Sequence, residues 1–269
     1  MISIIIPALN EEKYLPALLT SLSKQTSRNF EVIVVDGKSK DKTVSVAQSF
    51  ASSLPYLRVI VADHANLPYQ RNVGTEQAAG DWYVFLDADN VMLSHAIERI
   101  ICYVEEQKPS LFTSWSRPDS ENPNDAIVAL IANILFEGSI LFKRPFSPGP
   151  FTGVSRSVFD VVGGFTAELS WGEDADFSNK VGKAGYDFTV IHETLYIWSL
   201  RRFRKDGKAK IFQQYAKAVF YALFTNKALT KMPGYIMGGQ AYGKKKKINT
   251  SVLRKLHVTL KKLMNEVFE

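Results

Sequence analysis

Three groups of carboxylates in the chain have the residue types and spacing that catalysis or metal binding needs. Asp87 and Asp89 stand two residues apart after an apolar run, where both can face one divalent cation and a ribose. Asp36 ends another apolar run, where a carboxylate can accept hydrogen bonds from a nucleoside. Glu173 and Asp174 begin a predicted helix, where a carboxylate can serve as a general base if a hydroxyl lies within roughly 3 Å. Taken singly, each group is explained about as well by a turn or a helix cap.

The glycine patterns of two other nucleotide-binding classes do not fit the sequence. Gly37-Lys38-Ser39 suggests a phosphate-binding loop, but that motif needs a glycine five residues before its second glycine, and Val32 stands there. No G-x-G-x-x-G follows the first apolar run. The sequence therefore disfavours P-loop nucleotide hydrolases and dinucleotide-dependent dehydrogenases.

Short apolar runs alternate with helical patterns over the first hundred residues. Strands are predicted at 3–7, 30–36, 57–61 and 82–87, and helices at 15–22, 40–54, 71–79 and 94–106. This alternation is typical of a parallel sheet with helices on both faces. Pro7, Asp36 and Asp87 then fall at carboxyl ends of strands, where such sheets bind ligands. We expect these residues to line one crevice.

The second half of the sequence is less regular. It predicts a polar loop at 116–125, an apolar helix at 126–142, a Pro- and Gly-rich loop at 143–153 and a turn at 163–165. A strand is predicted at 187–200, and amphipathic helices at 208–224 and 251–268. The run at 126–136, interrupted by Asn133 and followed by Glu137, is predicted to be too short to span a membrane.

Composition describes an ordinary folded protein with an unusual charge distribution. The 269 residues are 46% hydrophobic and 22% charged, which suits one large domain or two small ones. Cys102 is the single cysteine, which excludes an internal disulfide and a cysteine-clustered zinc site. Residues 1–199 hold 16 Lys+Arg and 24 Asp+Glu, whereas residues 200–269 hold 17 and 3. The basic segment predicts an anionic partner.

The order of the motifs along residues 2–207 carries more information than any one of them. In sequence come Pro7-x-x-Asn10-Glu11-Glu12, Val35-Asp36, Arg71-Asn72-x-Gly74, Phe85-Leu86-Asp87-Ala88-Asp89, Gly163-Gly164-Phe165 and Glu173-Asp174-x-Asp176. This ordered set resembles family 2 glycosyltransferases of the GT-A fold. The resemblance implies an α/β, Rossmann-like, mostly parallel sheet with helices on both faces. We expect a nucleotide-binding half at about 1–106, an acceptor-side half at about 107–207 and a basic helical extension at 208–269.

The resemblance also implies roles for individual residues. Asp174 matches the general base, and Asp89 with Asp87 matches the site of Mg²⁺ or Mn²⁺. The nucleotide pocket would contain Pro7, Ala8, Leu9, Glu11, Asp36, Arg71, Asp87 and Ala88. The donor sugar and the acceptor would be faced by Gly153, Glu173, Arg201 and Arg202. The arginines belong to a Ser-x-Arg-Arg segment that begins at Ser199; His192, seven residues earlier, is expected to be structural rather than a metal ligand.

The implied reaction is inverting transfer of a sugar from a UDP- or GDP-sugar to an acceptor hydroxyl, on a lipid-linked or other glycan acceptor. We expect a cytoplasmic protein at the inner face of the membrane, held to anionic lipid by its basic C-terminal segment, and no nucleic-acid partner. Two alternatives stay open. A nucleotidyltransferase would need a glycine-rich basic loop after the first strand, where this chain has acidic, glycine-free residues 8–12. A binding module without turnover would have no need of Asp87, Asp89 and Asp174.

Overall fold

The computed structural model describes residues 1–141, 146–207, 211, 213 and 214. The predicted helix at 251–268 lies outside the described residues, as does most of the one at 208–224. The proposed boundary between a catalytic domain and a basic extension at 207/208 therefore stays a prediction.

Eight strands and eight helices make up the described part of the chain. The strands are β1 (Ile2–Ala8), β2 (Phe30–Asp36), β3 (Leu57–Val61), β4 (Trp82–Leu86), β5 (Val91–Met92), β6 (Leu111–Pro118), β7 (Phe151–Ser155) and β8 (Phe188–Trp198). The helices are α1 (Leu15–Ser23), α2 (Thr43–Gln48), α3 (Leu67–Glu76), α4 (Ala96–Gln107), α5 (Pro123–Leu141), α6 (Arg156–Val162), α7 (Glu173–Lys183) and α8 (Arg201–Asp206).

The strands form a single mixed sheet in the order β3-β2-β1-β4-β7-β6-β8-β5. The block β3-β2-β1-β4 is parallel throughout, as the first hundred residues predicted. Beyond β4 the directions mix, because β7 is antiparallel to both β4 and β6, while β8 is parallel to β6 and antiparallel to β5. Four of the seven strand pairings are parallel, so the sheet is mostly parallel, as predicted.

The parallel block is buried on both faces, which explains its continuous apolar runs. Along β1, Ile4 and Ile6 pack with the leucines of α1, whereas Ile5 packs into a cluster on the other side of the sheet. Helices therefore cover both faces, as predicted. Pro7 does not stop β1: the strand continues to Ala8, which pairs in register with Asp36.

Several predicted elements need correction. Residues 111–118 and 151–155 form β6 and β7, which the sequence assigned in part to loops. Helix α2 ends at Gln48 instead of 54, and the following Ser49 and Ser53 hydroxyls donate to carbonyls three residues back. Helix α3 begins at Leu67 rather than at residue 71, because the Asn66 side chain accepts from the Tyr69 N–H and caps the helix.

Candidate active site

The carboxyl ends of β1 and β2 bring Pro7, Ala8 and Asp36 together, with Ala8 paired to Asp36. Asp36, 1% exposed, accepts the Ser39 N–H on Oδ2 at 2.9 Å. Its Oδ1 is buried and has no hydrogen-bond partner among the described residues. A buried carboxylate oxygen without a donor is costly, so a ligand donor would be stabilised here. Pro7 and Ala8 are buried beside it, and Leu9 keeps partial exposure.

The two aspartates after β4 occupy the next strand end. Asp87 is 34% exposed at its side chain and Asp89 is 14% exposed. Ala88 between them is buried. A tight turn holds the segment, since the Asn90 N–H donates to the Asp87 carbonyl at 3.1 Å and the Asn90 amide donates to the Pro150 carbonyl at 2.6 Å. Two carboxylates are therefore presented on a short, well-anchored loop.

Arg201, from α8, closes one side of this carboxylate group. Its Nε lies 2.6 Å from Asp89 Oδ2, and its two terminal nitrogens donate to the Glu11 carboxylate, one of them at 2.8 Å. The guanidinium also stacks 4.3 Å above the centre of the Tyr14 ring. Arginine suits this position because its planar fork matches carboxylates and phosphates alike.

Burial raises the pKa of the acids that Arg201 contacts. The pKa of Asp89 rises to about 7, because burial disfavours the charged carboxylate more than Arg201 favours it, and Asp87 and Glu11 add repulsion. Burial also raises the pKa of Glu11, against the hydrogen bonds from Arg201. These acids are crowded and desolvated, so an added cation would be favoured among them.

Arg71 is the buried cation beneath the crevice. It is 1% exposed and lies in the middle of α3. Its guanidinium is 3.4 Å from Asp87 Oδ1, 3.5 Å from Glu173 Oε1 and donates to the Gly149 carbonyl at 2.9 Å. Arg71 therefore joins the β4 acids to the start of α7. The side chain is covered and positions these acids, and its predicted contact with nucleotide stays a prediction.

The loop that contains Gly149 also contacts Asp174. Its Oδ2 accepts the Gly149 N–H at 3.1 Å and its Oδ1 accepts the Ala175 N–H at 2.9 Å. Its place in the first turn of the 11-residue α7 adds a favourable interaction with the helix dipole. A Cβ at Gly149 would lie 3.4 Å from both Arg71 and Asp174, so this residue sits directly beside both charged groups.

The paired acids at the start of α7 differ in access. Glu173 is buried and paired with Arg71, whereas Asp174 keeps partial exposure. Burial raises the pKa of both carboxyls, with Asp174 adding repulsion to Glu173 and Arg71 opposing the shift in both. Asp174 is therefore the one of the two that a ligand can reach, and its raised pKa suits a group that takes a proton.

The Gly163-Gly164-Phe165 turn contacts Arg71 and its neighbour Asn72. Asn72 accepts the Phe165 N–H at 3.0 Å and donates back to its carbonyl at 2.8 Å. Gly164 has φ +66°, and a Cβ there would lie 2.9 Å from the Asn72 side-chain oxygen. The Phe165 ring sits 5.1 Å from the Arg71 guanidinium. These contacts explain why Arg71-Asn72 and the glycine turn occur together.

The donor set of the crevice fits a hard divalent cation that is shared with a substrate. No cluster of three or more His, Cys, Asp or Glu within the described ranges could hold a metal by itself. Asp87 and Asp89 offer carboxylate oxygens, and Mg²⁺ or Mn²⁺ commonly uses one or two carboxylates together with substrate phosphates. The chain's residues therefore fit such a metal only with a phosphate-bearing ligand present.

Three further predicted residues lie elsewhere. The prediction that Gly153 faces the substrates is wrong, because it is buried in β7 where a Cβ would be 2.1 Å from the Phe112 ring. Arg202 lies on α8 with its Nε 3.9 Å from Asp206. His192 is exposed on β8, and its Nε2 lies 3.2 Å from Glu137 Oε1.

Sequence reasoning missed Tyr14 and Gly149. Tyr14 follows the Asn10-Glu11-Glu12 motif by two residues, but nothing in the sequence joins it to Arg201. Gly149 lies in a Pro- and Gly-rich stretch that was predicted only as a loop. The clustering of Pro148, Gly149 and Pro150 was the available signal, since such a segment exposes its backbone groups to partners.

Comparison with known sequences agrees with the motif order. Residues 3–163 match the sequence profile of Glycosyl transferase family 2. An uncharacterized glycosyltransferase of Haemophilus influenzae is 33% identical over 185 residues, 67% of this chain and 62% of that protein. A PGL/p-HBAD biosynthesis glycosyltransferase of Mycobacterium bovis is 38% identical over 112 residues, 41% of this chain and 44% of that protein. The chain thus spans less than two thirds of either relative.

Solved structures share the fold. S. aureus TarS 1–349 in complex with UDP aligns with a TM-score of 0.60 at 22% identity, over 74% of this chain and 60% of that one. The mannosyltransferase PcManGT from Pyrobaculum calidifontis, in complex with GDP-Man and Mn²⁺, aligns with a TM-score of 0.61 at 19% identity, over 73% and 56%. The predicted GT-A fold is confirmed for the described residues. On its matched sequence and its fold, the chain belongs to glycosyl transferase family 2.

Proposed function

We propose that this chain is a metal-dependent, inverting glycosyltransferase that moves a sugar from a nucleoside-diphosphate sugar to an acceptor hydroxyl. One observation carries the proposal: Arg71 and Gly149 tie the acids after β4 to the acids that begin α7. Asp87 and Asp89, which could hold a cation for the departing diphosphate, are therefore linked to Asp174, which could take a proton.

The donor is proposed to lie over the strand ends, with its nucleoside toward Asp36. The free Oδ1 of Asp36 offers an acceptor to a base or ribose donor. Related folds support this class of ligand, since TarS was solved with UDP and PcManGT with GDP-Man and Mn²⁺. Both UDP- and GDP-sugars therefore remain candidate donors for this chain.

Asp89, with Asp87, is proposed to hold Mg²⁺ or Mn²⁺ against the diphosphate. Bound there, the cation would offset the negative charge that develops on the departing diphosphate, a contribution of several kcal/mol. Asp89 pairs with Arg201 in this structure. A cation held by Asp89 would take over the role of one positive partner of this carboxylate, while the terminal nitrogens of Arg201 donate to Glu11.

Asp174 is proposed as the general base. It takes the proton of the acceptor hydroxyl while that oxygen forms a bond to the anomeric carbon. The bond from the anomeric carbon to the diphosphate oxygen breaks, and the nucleoside diphosphate leaves with that electron pair. A single displacement of this kind inverts the anomeric centre and needs no covalent enzyme intermediate. Glu173 and Arg71 hold the base in place, because they fix the start of α7.

Thermal unfolding with UDP, GDP and their sugars, each with and without Mn²⁺ or Mg²⁺, tests the donor site. A ligand at about 100 times its dissociation constant adds about 2.7 kcal/mol to the free energy of unfolding. We expect a metal-dependent rise in Tm with one nucleotide. Asp89→Asn should remove the metal dependence.

Asp81→Asn is the matched control, because Asp81 is a surface aspartate whose side chain is 82% exposed and pairs with the N-terminus. It should respond to nucleotide and metal like the parent chain. A parent chain that shows no shift with any nucleotide and metal combination would contradict the proposal.

A further inference from the structure

Helix α5 has one packed side and one bare side. Asp125, Val128, Ala129 and Phe136 are buried on the packed side, which lies against β6 and β8. The opposite side exposes six large aliphatic side chains, with exposed fractions from 38% to 79%. We call these the apolar face: Ile127, Leu130, Ile131, Ile134, Leu135 and Leu141. Isolated exposed aliphatic residues are ordinary, but a contiguous set marks an interaction surface.

The apolar face is continuous along the helix. At about 100° per residue, its six members fall within one arc of about 140°. Gly138 lies inside this arc, and a Cβ built on it meets nothing within 4 Å among the described atoms. The described part of the chain thus leaves the face uncovered from Ile127 to Leu141.

The length and hydropathy of α5 correct the expectation from the sequence. With 19 residues and a mean hydropathy of 1.5, it is long and apolar enough to cross a membrane by composition. The contacts on its packed side, however, indicate that the helix does not cross a membrane. Phe136 is inside the core, and Asp125 is paired with Arg204 at 3.2 Å. Crossing a membrane would break both contacts, so the helix lies along the surface of the domain.

A strongly basic segment leaves the described structure beside α5. Ile211 packs in one cluster with Val128 of α5 and with Leu200 and Phe203. Residues 200–269 hold 17 Lys+Arg and 3 Asp+Glu. An apolar helix face in a chain that also carries a concentrated basic segment is the combination that binds the interface of an anionic bilayer.

We propose that the apolar face of α5 docks on an anionic phospholipid membrane, with the basic C-terminal segment as the second attachment. The inference stands apart from the transferase activity, because it rests on the exposed face and the charge alone. A second copy of this chain would satisfy the apolar face but would gain repulsion from the basic segments. Lipid headgroups satisfy both features at once.

The docked orientation has a consequence for the crevice. Helix α8 joins the two regions, because Arg204 pairs with Asp119 and Asp125 near the start of α5 while Arg201 reaches Asp89 and Glu11. Docking through α5 therefore brings the crevice near the membrane surface. An acceptor hydroxyl carried on a lipid-linked molecule fits that position.

Flotation with lipid vesicles tests the proposal on the whole 269-residue chain. The chain should bind vesicles of phosphatidylcholine with about 30% phosphatidylglycerol, bind pure phosphatidylcholine less, and lose affinity in about 0.5 M salt. Leu130→Glu/Ile134→Glu should lower the partition coefficient about tenfold or more, since two aliphatic side chains no longer enter the lipid. Both residues are more than half exposed, at 58% and 59%, so folding should survive.

Val161→Glu is the matched control, because Val161 is 66% exposed on a different helix, α6. It should bind vesicles like the parent chain. If the double variant fails to fold by circular dichroism, Ile134→Gln alone should lower partitioning about threefold or more. The proposal is overturned if the parent chain ignores anionic vesicles, or if variants in α5 bind like the control. Sedimentation that shows a dimer abolished by the α5 variants, without vesicle binding, would assign the face to a second copy.

Discussion

Replacing Asp174 by Asn should slow turnover while leaving the fold and the donor site intact. A general base contributes about 10²- to 10⁴-fold to a rate, which corresponds to about 3 to 5 kcal/mol of activation free energy. We expect kcat for nucleoside-diphosphate release to fall within this range. The Tm shift produced by nucleotide and metal should persist, because Asp36, Asp87 and Asp89 are unchanged.

The contacts of Asp174 set the cost of this substitution to stability. An asparagine can still accept the Ala175 N–H on its oxygen, but its amide nitrogen then faces the Gly149 N–H. One backbone donor loses its acceptor, at a cost of about 1–3 kcal/mol. A domain with a typical free energy of unfolding of about 5–15 kcal/mol tolerates this loss. A fall in rate can therefore be separated from unfolding.

The pH profile supplies the sharper assay. Burial raises the pKa of Asp174, so kcat of the parent chain should increase with pH as this carboxyl loses its proton, over a range above that of an exposed aspartate. The Asn variant should lack this rise. Asp176→Asn is the matched control on the same helix, since Asp176 only accepts from Thr166 and pairs with Lys180. Turnover of Asp174→Asn at the parent rate, or an equal loss in Asp176→Asn, would refute the assignment of the base.

Three further predictions concern the scaffold of the site. Arg71→Ala should lower the free energy of unfolding by about 1–3 kcal/mol, because the buried Gly149 carbonyl loses its hydrogen-bond donor; urea unfolding measures this. Gly153→Ala should destabilise by at least about 1–3 kcal/mol, since its methyl group meets the Phe112 ring, whereas Gly138→Ala, in open space on α5, should gain up to about 1 kcal/mol; thermal unfolding compares the two. Burial raises the pKa of Glu173 from 4.5 to about 7, so the folded state binds this proton more tightly and stability should fall as pH rises across that range. In Glu173→Gln, the free energy of unfolding from urea titrations should differ less between pH 5 and pH 8 than it does in the parent chain. An equal difference in the two chains would contradict this prediction.

The first half of the fold was predictable because its strands are buried on both faces. β2 and β3 have the bounds that their apolar runs predicted, and α1 follows its leucine spacing. β6 and β7 were harder, because Thr113, Ser114, Ser116 and Thr152 interrupt their apolar pattern. These polar residues are nevertheless buried, and some form hydrogen bonds inside the protein. The Thr113 hydroxyl, for example, donates to the Phe151 carbonyl. Tertiary contacts, which local sequence does not show, stabilise these strands.

The acids of the site were identifiable from the sequence, and so were Arg71 and Arg201, but the partners of these two arginines were not. Asp36, Asp87 and Asp89 stand at strand ends, where the alternating pattern places ligands. Arg71 is predicted only as a nucleotide contact, and the sequence does not show that it also pairs with Asp87 and Glu173. The Arg201–Glu11 pair joins residues 190 positions apart, and no spacing rule predicts a contact of that separation.

The measurement that tests the central claim most directly is ³¹P NMR of the chain with the donor that thermal unfolding selects, in the presence of diamagnetic Mg²⁺. Water or an added lipid extract serves as acceptor. We predict that the donor resonances give way to those of the nucleoside diphosphate, and that Asp174→Asn slows this conversion without preventing donor binding. Release of pyrophosphate would instead indicate a nucleotidyltransferase. A donor that binds and stays intact with every acceptor would indicate a binding module, and either result would contradict the proposed glycosyl transfer.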